Sequence, residues 1–266
     1  MSKPDEVARH NREYWDRMVD VDCEYTRPWL DLDRSLIQLF ADGKLEILPE
    51  PYRYLYPQQV FRDVKGKDVL CLASAGGQQS VAFGLLGARV TVFDFCEKQL
   101  EMDQQAAAHH GYDITTVVGD MRDLSALATD SFDLVYHAIS ICFVPDTREV
   151  YTGVARVLRP GGIYRVGHIN PATYGMEEDA WDGKGYRIVE PNYHGLVERA
   201  DAKEYRHSLS DIIMGLVEKG FVLESVDNDP RHFVPAPDAA PGSAEHLMWW
   251  TQSYFALTTR LGGACK

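Results

Sequence analysis

The chain has 266 residues, 45% of them apolar, which is enough to bury one full core with appendages. A formal net charge of -13 and a pI near 5.1 disfavour a general grip on nucleic-acid phosphates or anionic lipid. No apolar run reaches the roughly 18 to 20 residues that cross a bilayer, and "MSKPDEVARH" lacks the apolar centre of a signal peptide. The five cysteines are scattered and form no C-x-x-C pair. A cytoplasmic protein with reduced thiols is expected, with no metal site, no membrane association and no nucleic-acid partner.

Residues 1–64 read as a helical cap. Val7, Tyr14, Trp15 and Met18 recur at helical spacing between Lys3 and about Asp20, and a second helix is expected from Leu30 to Ala41, closed by Gly43. From residue 65 to 266 the pattern is that of one larger domain. "KDVLCLA" reads as a buried strand that runs into the small-residue turn "ASAGGQQ", and "QQSVAFGLLG" as a helix ended by Gly87. "ARVTVFDF" is the next strand, followed by a helix from about Glu97 to His110 with Gly111 as its stop. "ITTVVGD", "FDLVYHAIS" and "GGIYRVGHI" are further strands. Between the last two, Asp146 caps a helix with Val150, Val154, Val157 and Leu158 on one face. Strand alternating with helix argues for an α/β fold, a parallel sheet covered on both faces.

Residues 171–207 are rich in aromatics, glycine and proline and too long for an ordinary connection, so they read as a lid-like insertion. Ser208 then caps a helix with Leu209, Ile212, Ile213, Leu216 and Val217 inward and Gly220 as terminator; "FVLESVD" and "SYFALTTR" close the sheet.

In such a sheet ligands bind beyond the carboxyl ends of the strands, beside the first strand-to-helix turn. A dinucleotide fingerprint, G-x-G-x-x-G, would need glycine at Ala73, Ala75 and Gln78 and finds none. An adenosine-type ligand without a pyrophosphate is the better match. Asp94 ends the second strand about 20 residues after the turn, where an acid hydrogen-bonds ribose hydroxyls. Asp120, just after the third strand, is placed to accept from an exocyclic amine, with Met121 packed on a base.

In order and spacing, Ala73 to Gly77, Asp94, Asp120, "DSFDLVYHA" and "VLRPGGIYRVGHI" resemble the class I S-adenosylmethionine-dependent methyltransferases, over roughly residues 65 to 170. The family's first motif usually reads like D-L-G-C-G-T-G; here Cys71 stands for the acid and Ala73 and Ala75 for glycines. The resemblance implies a doubly wound seven-stranded sheet with the last strand antiparallel, and S-adenosyl-L-methionine as cofactor. It also implies that Ala73, Ser74 and Gly77 line the methionine side, and that Asp94 takes the ribose. Phe95 and Met121 would flank adenine, Asp120 would hold its amino group, Gln99 would add a contact, and His137 and Ala138 would lie beside the reactive methyl. The pattern is most similar to the small-molecule branch, including the quinone-biosynthesis type.

A small, apolar or aromatic acceptor is therefore expected, walled by Tyr14, Trp29, Trp181 and Tyr193 with Asn170 as a polar handle. Methyl transfer is an in-line displacement that needs a base only when the nucleophile arrives protonated, and His137 and His168 are the candidates. Two rivals remain open at this point: a non-catalytic S-adenosylmethionine-binding module, and a nucleotide-dependent oxidoreductase on a Rossmann-like sheet. A homodimer is also possible.

Overall fold

The computed structural model describes residues 6–192, 195–199, 201–230 and 238–262. Seven strands form one sheet: β1 (Asp68–Leu72), β2 (Arg89–Asp94), β3 (Ile114–Val118), β4 (Phe132–His137), β5 (Leu158–Ile169), β8 (Phe221–Asn228) and β9 (Tyr254–Leu261). They run in the order β3-β2-β1-β4-β5-β9-β8, with β1 to β5 parallel and β9 antiparallel to both its neighbours. The order reverses between β1 and β4, which opens a crevice at their carboxyl ends.

Local chemistry explains the elements. The four residues Val69 to Leu72 are buried, as a strand covered on both faces requires. Helix α4 (Glu97–His110) stops because Gly111 takes the left-handed conformation at φ 77° and donates its N–H to Ala107. In α5 (Thr147–Val157) the Asp146 carboxylate accepts from the Arg148 N–H, and Val150, Val154 and Val157 face the core. A reciprocal capping box between Ser208 and Asp211 starts α6 (Leu209–Glu218). Helix α3 (Gln79–Leu85) crosses from β1 to β2.

Two expectations are corrected. The second helix does not begin at Leu30: the Asp33 carboxylate accepts from the Ser35 N–H, so a 3-10 turn starts at Arg34 and passes into α2 (Ile37–Ala41). In α6 only Ile212, Gly215 and Leu216 are buried, while Leu209 and Val217 stay about half exposed; the helix packs a narrow seam against α5, where Gly215 meets the Tyr151 ring.

Over the crevice lie α1 (Glu6–Asp20) and a hairpin of β6 (Gly195–Arg199) and β7 (Ala202–Arg206). The two are joined. Asn11, fully buried, donates to the Lys203 carbonyl at 2.8 Å and accepts the Lys203 N–H at 2.9 Å, pairing like a strand edge. Arg17 adds an ion pair to Asp201 at 2.5 Å. A further helix, α7 (Ala244–Trp250), flanks the crevice near β9. No helix among the described residues is long and apolar enough to cross a membrane.

Candidate functional site

The turn after β1 has an unusual backbone. Ala73 and Ala75 both adopt positive φ, 44° and 65°, and Gly77 follows at 72°. An L-residue in this region brings its Cβ against the chain at roughly 1 to 2 kcal/mol each, so surrounding bonds must hold the turn in place. The Ala73 N–H donates to the Phe93 carbonyl at 2.9 Å. From the other side the Ser140 hydroxyl donates to the Ala73 carbonyl at 2.7 Å. Because that proton is committed, Ser140 must accept from His137 Nε2, 2.8 Å away, and His137 Nδ1 must accept from the Tyr164 hydroxyl at 2.9 Å. His137 is thus a neutral Nε2–H imidazole, and burial lowers its pKa to about 3. Behind the turn, a Cβ on Gly77 would stand 2.7 Å from the Met102 carbonyl and 2.8 Å from Pro28, so this glycine serves close packing against α4.

The turn opens on a cavity of about 640 Å³. At one end lie Ala73, Ala75, Gln78, Gln79, Asp94, Phe95, Gln99 and Met121. Asp94 Oδ1 accepts from the Cys96 N–H at 2.8 Å, and burial pushes its pKa up to about 7. The side-chain carbonyls of Gln79 and Gln99 are buried in the same wall without a hydrogen-bond partner among the described residues. Deep in α4, Asp103 accepts from the Ser80 hydroxyl, and burial raises its pKa to about 8. A buried acceptor with an incompletely used carboxylate and two orphaned amide oxygens fits a ligand that presents hydroxyl and amino donors, as S-adenosylmethionine does.

The other end lies under α1 and the hairpin. Trp15 meets Phe143 edge-on at 5.7 Å, and Tyr14, Tyr174, Tyr205 and Tyr254 extend the aromatic wall. Glu204 projects into this half from β7, and burial raises its pKa. Arg199 and Arg206 pair with Glu177 and Glu190, and Arg165 enters from the middle of β5.

Of the residues singled out in the sequence, Ala73, Asp94, Phe95, Gln99, Met121, Ala138 and Tyr14 come together around the cavity. Others do not. Ser74 is buried beneath the turn beside Cys71, and Gly77 packs on α4. Asp120 is clamped by Arg122, whose Nη2 lies 2.6 Å away, and stays outside the cavity wall. Trp29 donates its backbone N–H to Gly77 and packs the cap behind the turn. Asn170 caps a 3-10 turn at Ala172 and donates to the Gln252 carbonyl. Trp181 joins Tyr186, His246 and Trp250 in a separate aromatic cluster. Tyr193 lies outside the described residues.

The two histidines expected as bases are likewise outside the cavity wall. Both rings are buried, both nitrogens of His137 are engaged, and His168 stacks on Phe255 with Nε2 at 3.3 Å from the Tyr151 hydroxyl. Burial keeps each imidazole neutral well below its ordinary range. Arg165 and Glu204 escaped the sequence reading. For Arg165 the signal was present, a charge set between Tyr164 and Val166 inside the strand; Glu204 lies in a hairpin that carries no apolar alternation.

Comparison with known proteins agrees with this geometry. A family model described as a methyltransferase domain matches residues 70–166. "Uncharacterized methyltransferase YbaJ" of Bacillus subtilis (strain 168) is 33% identical over 241 residues, covering 86% of this chain and 92% of that protein. Among solved structures, an S-adenosylmethionine-dependent methyltransferase from Mesorhizobium loti superposes with a TM-score of 0.61 at 24% identity, over 87% of this chain and 99% of that one. A Burkholderia thailandensis 1,6-didemethyltoxoflavin-N1-methyltransferase, solved with 1,6-didemethyltoxoflavin and S-adenosylhomocysteine, gives 0.58 at 16% identity, over 98% and 92%. These two share the fold. With the strand order, the acidic end of β2 and a relative matched along nearly its whole length, the chain belongs to the class I S-adenosylmethionine-dependent methyltransferases and uses S-adenosylmethionine as its cofactor.

Proposed function

We propose that the enzyme methylates a small, largely apolar molecule held under α1 and the β6–β7 hairpin. The observation that carries this reading is the continuity of one cavity from Asp94 at the end of β2 to Tyr205 and Tyr254. Its volume suits a small ligand, and its outer half sets aromatic rings among charged side chains, two of the arginines being paired with glutamates. The Burkholderia structure offers a parallel, since that enzyme was solved with both 1,6-didemethyltoxoflavin and S-adenosylhomocysteine bound.

S-adenosylmethionine, when bound, supplies an electrophilic methyl group on a sulfonium. Asp94 would accept from its ribose hydroxyls, Phe95 and Met121 would flank its base, and Gln79 and Gln99 would meet its polar groups with their unpaired carbonyls. Ala138 at the end of β4 would lie on the path between the two halves. The protein's work is then to hold the acceptor in line and exclude water, which alone can supply several kcal/mol. Glu204 would take the acceptor's proton at its carboxylate. Its raised pKa makes it a stronger base than an exposed glutamate, and it is ionised only above that raised value.

The test is a screen of phenols, thiols and amines with radiolabelled cofactor, followed by Glu204→Gln on the best acceptor. For an acceptor that loses a proton, turnover should rise with pH through the glutamate's raised pKa, and the substitution should lower kcat by about 10²-fold or more and remove that limb. Unchanged kcat and pH profile would remove Glu204 from the chemistry. Transfer only to a protein or RNA would overturn the acceptor class.

A further inference from the structure

Among the described residues three arginines line the cavity, and one differs from the others. Arg199 and Arg206 each face a glutamate, at 3.5 Å and 2.6 Å. Arg165 is 1% exposed, yet among the described residues no carboxylate lies within 4.0 Å of it. Its Nε donates to the Tyr56 carbonyl and its Nη1 to the His137 carbonyl, both at 2.8 Å. The guanidinium carbon stands 4.6 Å from the Tyr56 ring centroid and 4.5 Å from that of Tyr136.

A guanidinium has about five N–H donors. Two go to backbone carbonyls, so Nη2 and the remaining N–H of Nη1 are left, and Arg165 is part of the cavity wall. With rings stacked on the group, what a ligand can reach is its edge. A buried cation with no described carboxylate at ion-pair distance is costly, and cation–π contacts and two carbonyls offset only part of that. Position 165 also lies mid-strand, opposite Tyr136 and Thr258, where an apolar side chain would pack at lower cost.

We propose that Arg165 seats a carboxylate of the methyl acceptor, edge to edge along its free N–H groups. This rests on the reading that the cavity takes a small acceptor, and it adds that the acceptor is an organic acid with an apolar body. The planar fork of the guanidinium matches a planar carboxylate. Glu178, Glu198 and Glu204 also line the cavity, so a second negative charge would be repelled and a monoanion is favoured over a phosphate.

The experiment uses the full chain saturated with S-adenosylhomocysteine and matched probes: benzoate against benzamide, phenylacetate against phenylacetamide, hexanoate against hexanamide. Binding is followed by ligand-observed NMR. At least one acid should bind about ten-fold more tightly than its amide, and Arg165→Gln should abolish that preference while S-adenosylhomocysteine affinity stays within about two-fold. Arg165→Lys should keep part of the preference, because charge survives but the fork is lost. No preference in the wild-type protein across the three pairs overturns the proposal, even if neither variant folds. So does a preference that survives Arg165→Gln, or a variant that weakens acids, amides and cofactor product alike, which would mark a purely structural arginine. Failure to bind S-adenosylhomocysteine would instead strike at the cofactor site, and a screen that yields only neutral acceptors would leave the small-molecule reading standing without this one.

Discussion

Asp94 gives the sharpest test of the cofactor end, because the same burial that prepares it for a ligand should weaken the folded protein without one. Its pKa is raised from 3.8 to about 7, chiefly by desolvation, against the pull of N–H groups from Cys96 and Phe95. A carboxyl raised on folding contributes stability that is fully present below its unfolded pKa and is lost as pH rises through the folded value. At about pH 8 the ionised Asp94 therefore costs the ligand-free protein up to about 4 kcal/mol, at 1.36 kcal/mol per unit. Asp94→Asn keeps an oxygen for the Cys96 N–H and removes the charge. It also removes the carboxylate that helps raise Asp103. The variant should match wild type near pH 4 and exceed it increasingly above pH 5, reaching a Tm gain of roughly 5 °C or more at pH 8. Cofactor binding should move the other way. Hydrogen bonds to a charged acceptor contribute about 1.5 to 3 kcal/mol, so S-adenosylhomocysteine should bind roughly ten- to hundred-fold more weakly. Thermal unfolding from pH 4 to 8.5 and titration calorimetry decide the matter together. A variant no more stable than wild type at pH 8, or one whose gain does not depend on pH, would refute the reasoning.

His137→Ala should act on the cofactor rather than on the chemistry. It leaves Tyr164 and Ser140 without their partner and opens a void, costing about 2 to 4 kcal/mol of stability, and loosens the Ala73 turn. Calorimetry should show weaker S-adenosylhomocysteine binding, while kcat at saturating cofactor falls less than about ten-fold; a hundred-fold loss at unchanged affinity would restore the histidine as a base. Since His137 stays neutral down to about pH 3, its share of stability is full above about 6.5 and is lost as pH falls toward 3, so His137→Asn should flatten acid unfolding in that window. Ala75→Gly should relieve the Cβ at φ 65°, and after the extra backbone freedom of glycine in the unfolded chain the net gain should be about 0.5 to 1 kcal/mol in urea unfolding; a loss would mean that the methyl packs usefully.

The sheet was legible because its signals are local. Gly111, Asp146 and Ser208 mark helix ends through bonds made within three or four residues, and the continuous apolar run at Val69 to Leu72 marks a doubly covered strand. Asp94 was legible for a different reason, since the last residue of β2 faces the crevice wherever this strand order occurs. His137 and His168 misled because a histidine near the end of a strand can face either side of the sheet, and the choice is made by partners far away in sequence. For His137 those partners are Tyr164 on β5 and the Ala73 carbonyl after β1, brought within reach only by the register that sets His137 opposite Leu72 and Val166. The charge at Arg165 was visible inside its strand, but its surroundings were hidden by the same kind of dependence: its neighbours Tyr56 and Tyr136 belong to the cap and to β4. Around the crevice, Asp94 and Asp103 are held near the neutral form by burial, His137 is kept from protonating, and Arg165 is buried without an ion pair among the described residues. Each lowers or constrains stability where an apolar residue would raise it. Asp103 anchors the helix after the turn through Ser80 and His137 holds the turn through Ser140, while Asp94 and Arg165 line the cavity itself. That division separates groups whose substitution should change the shape of the site from groups whose substitution should change what the site accepts.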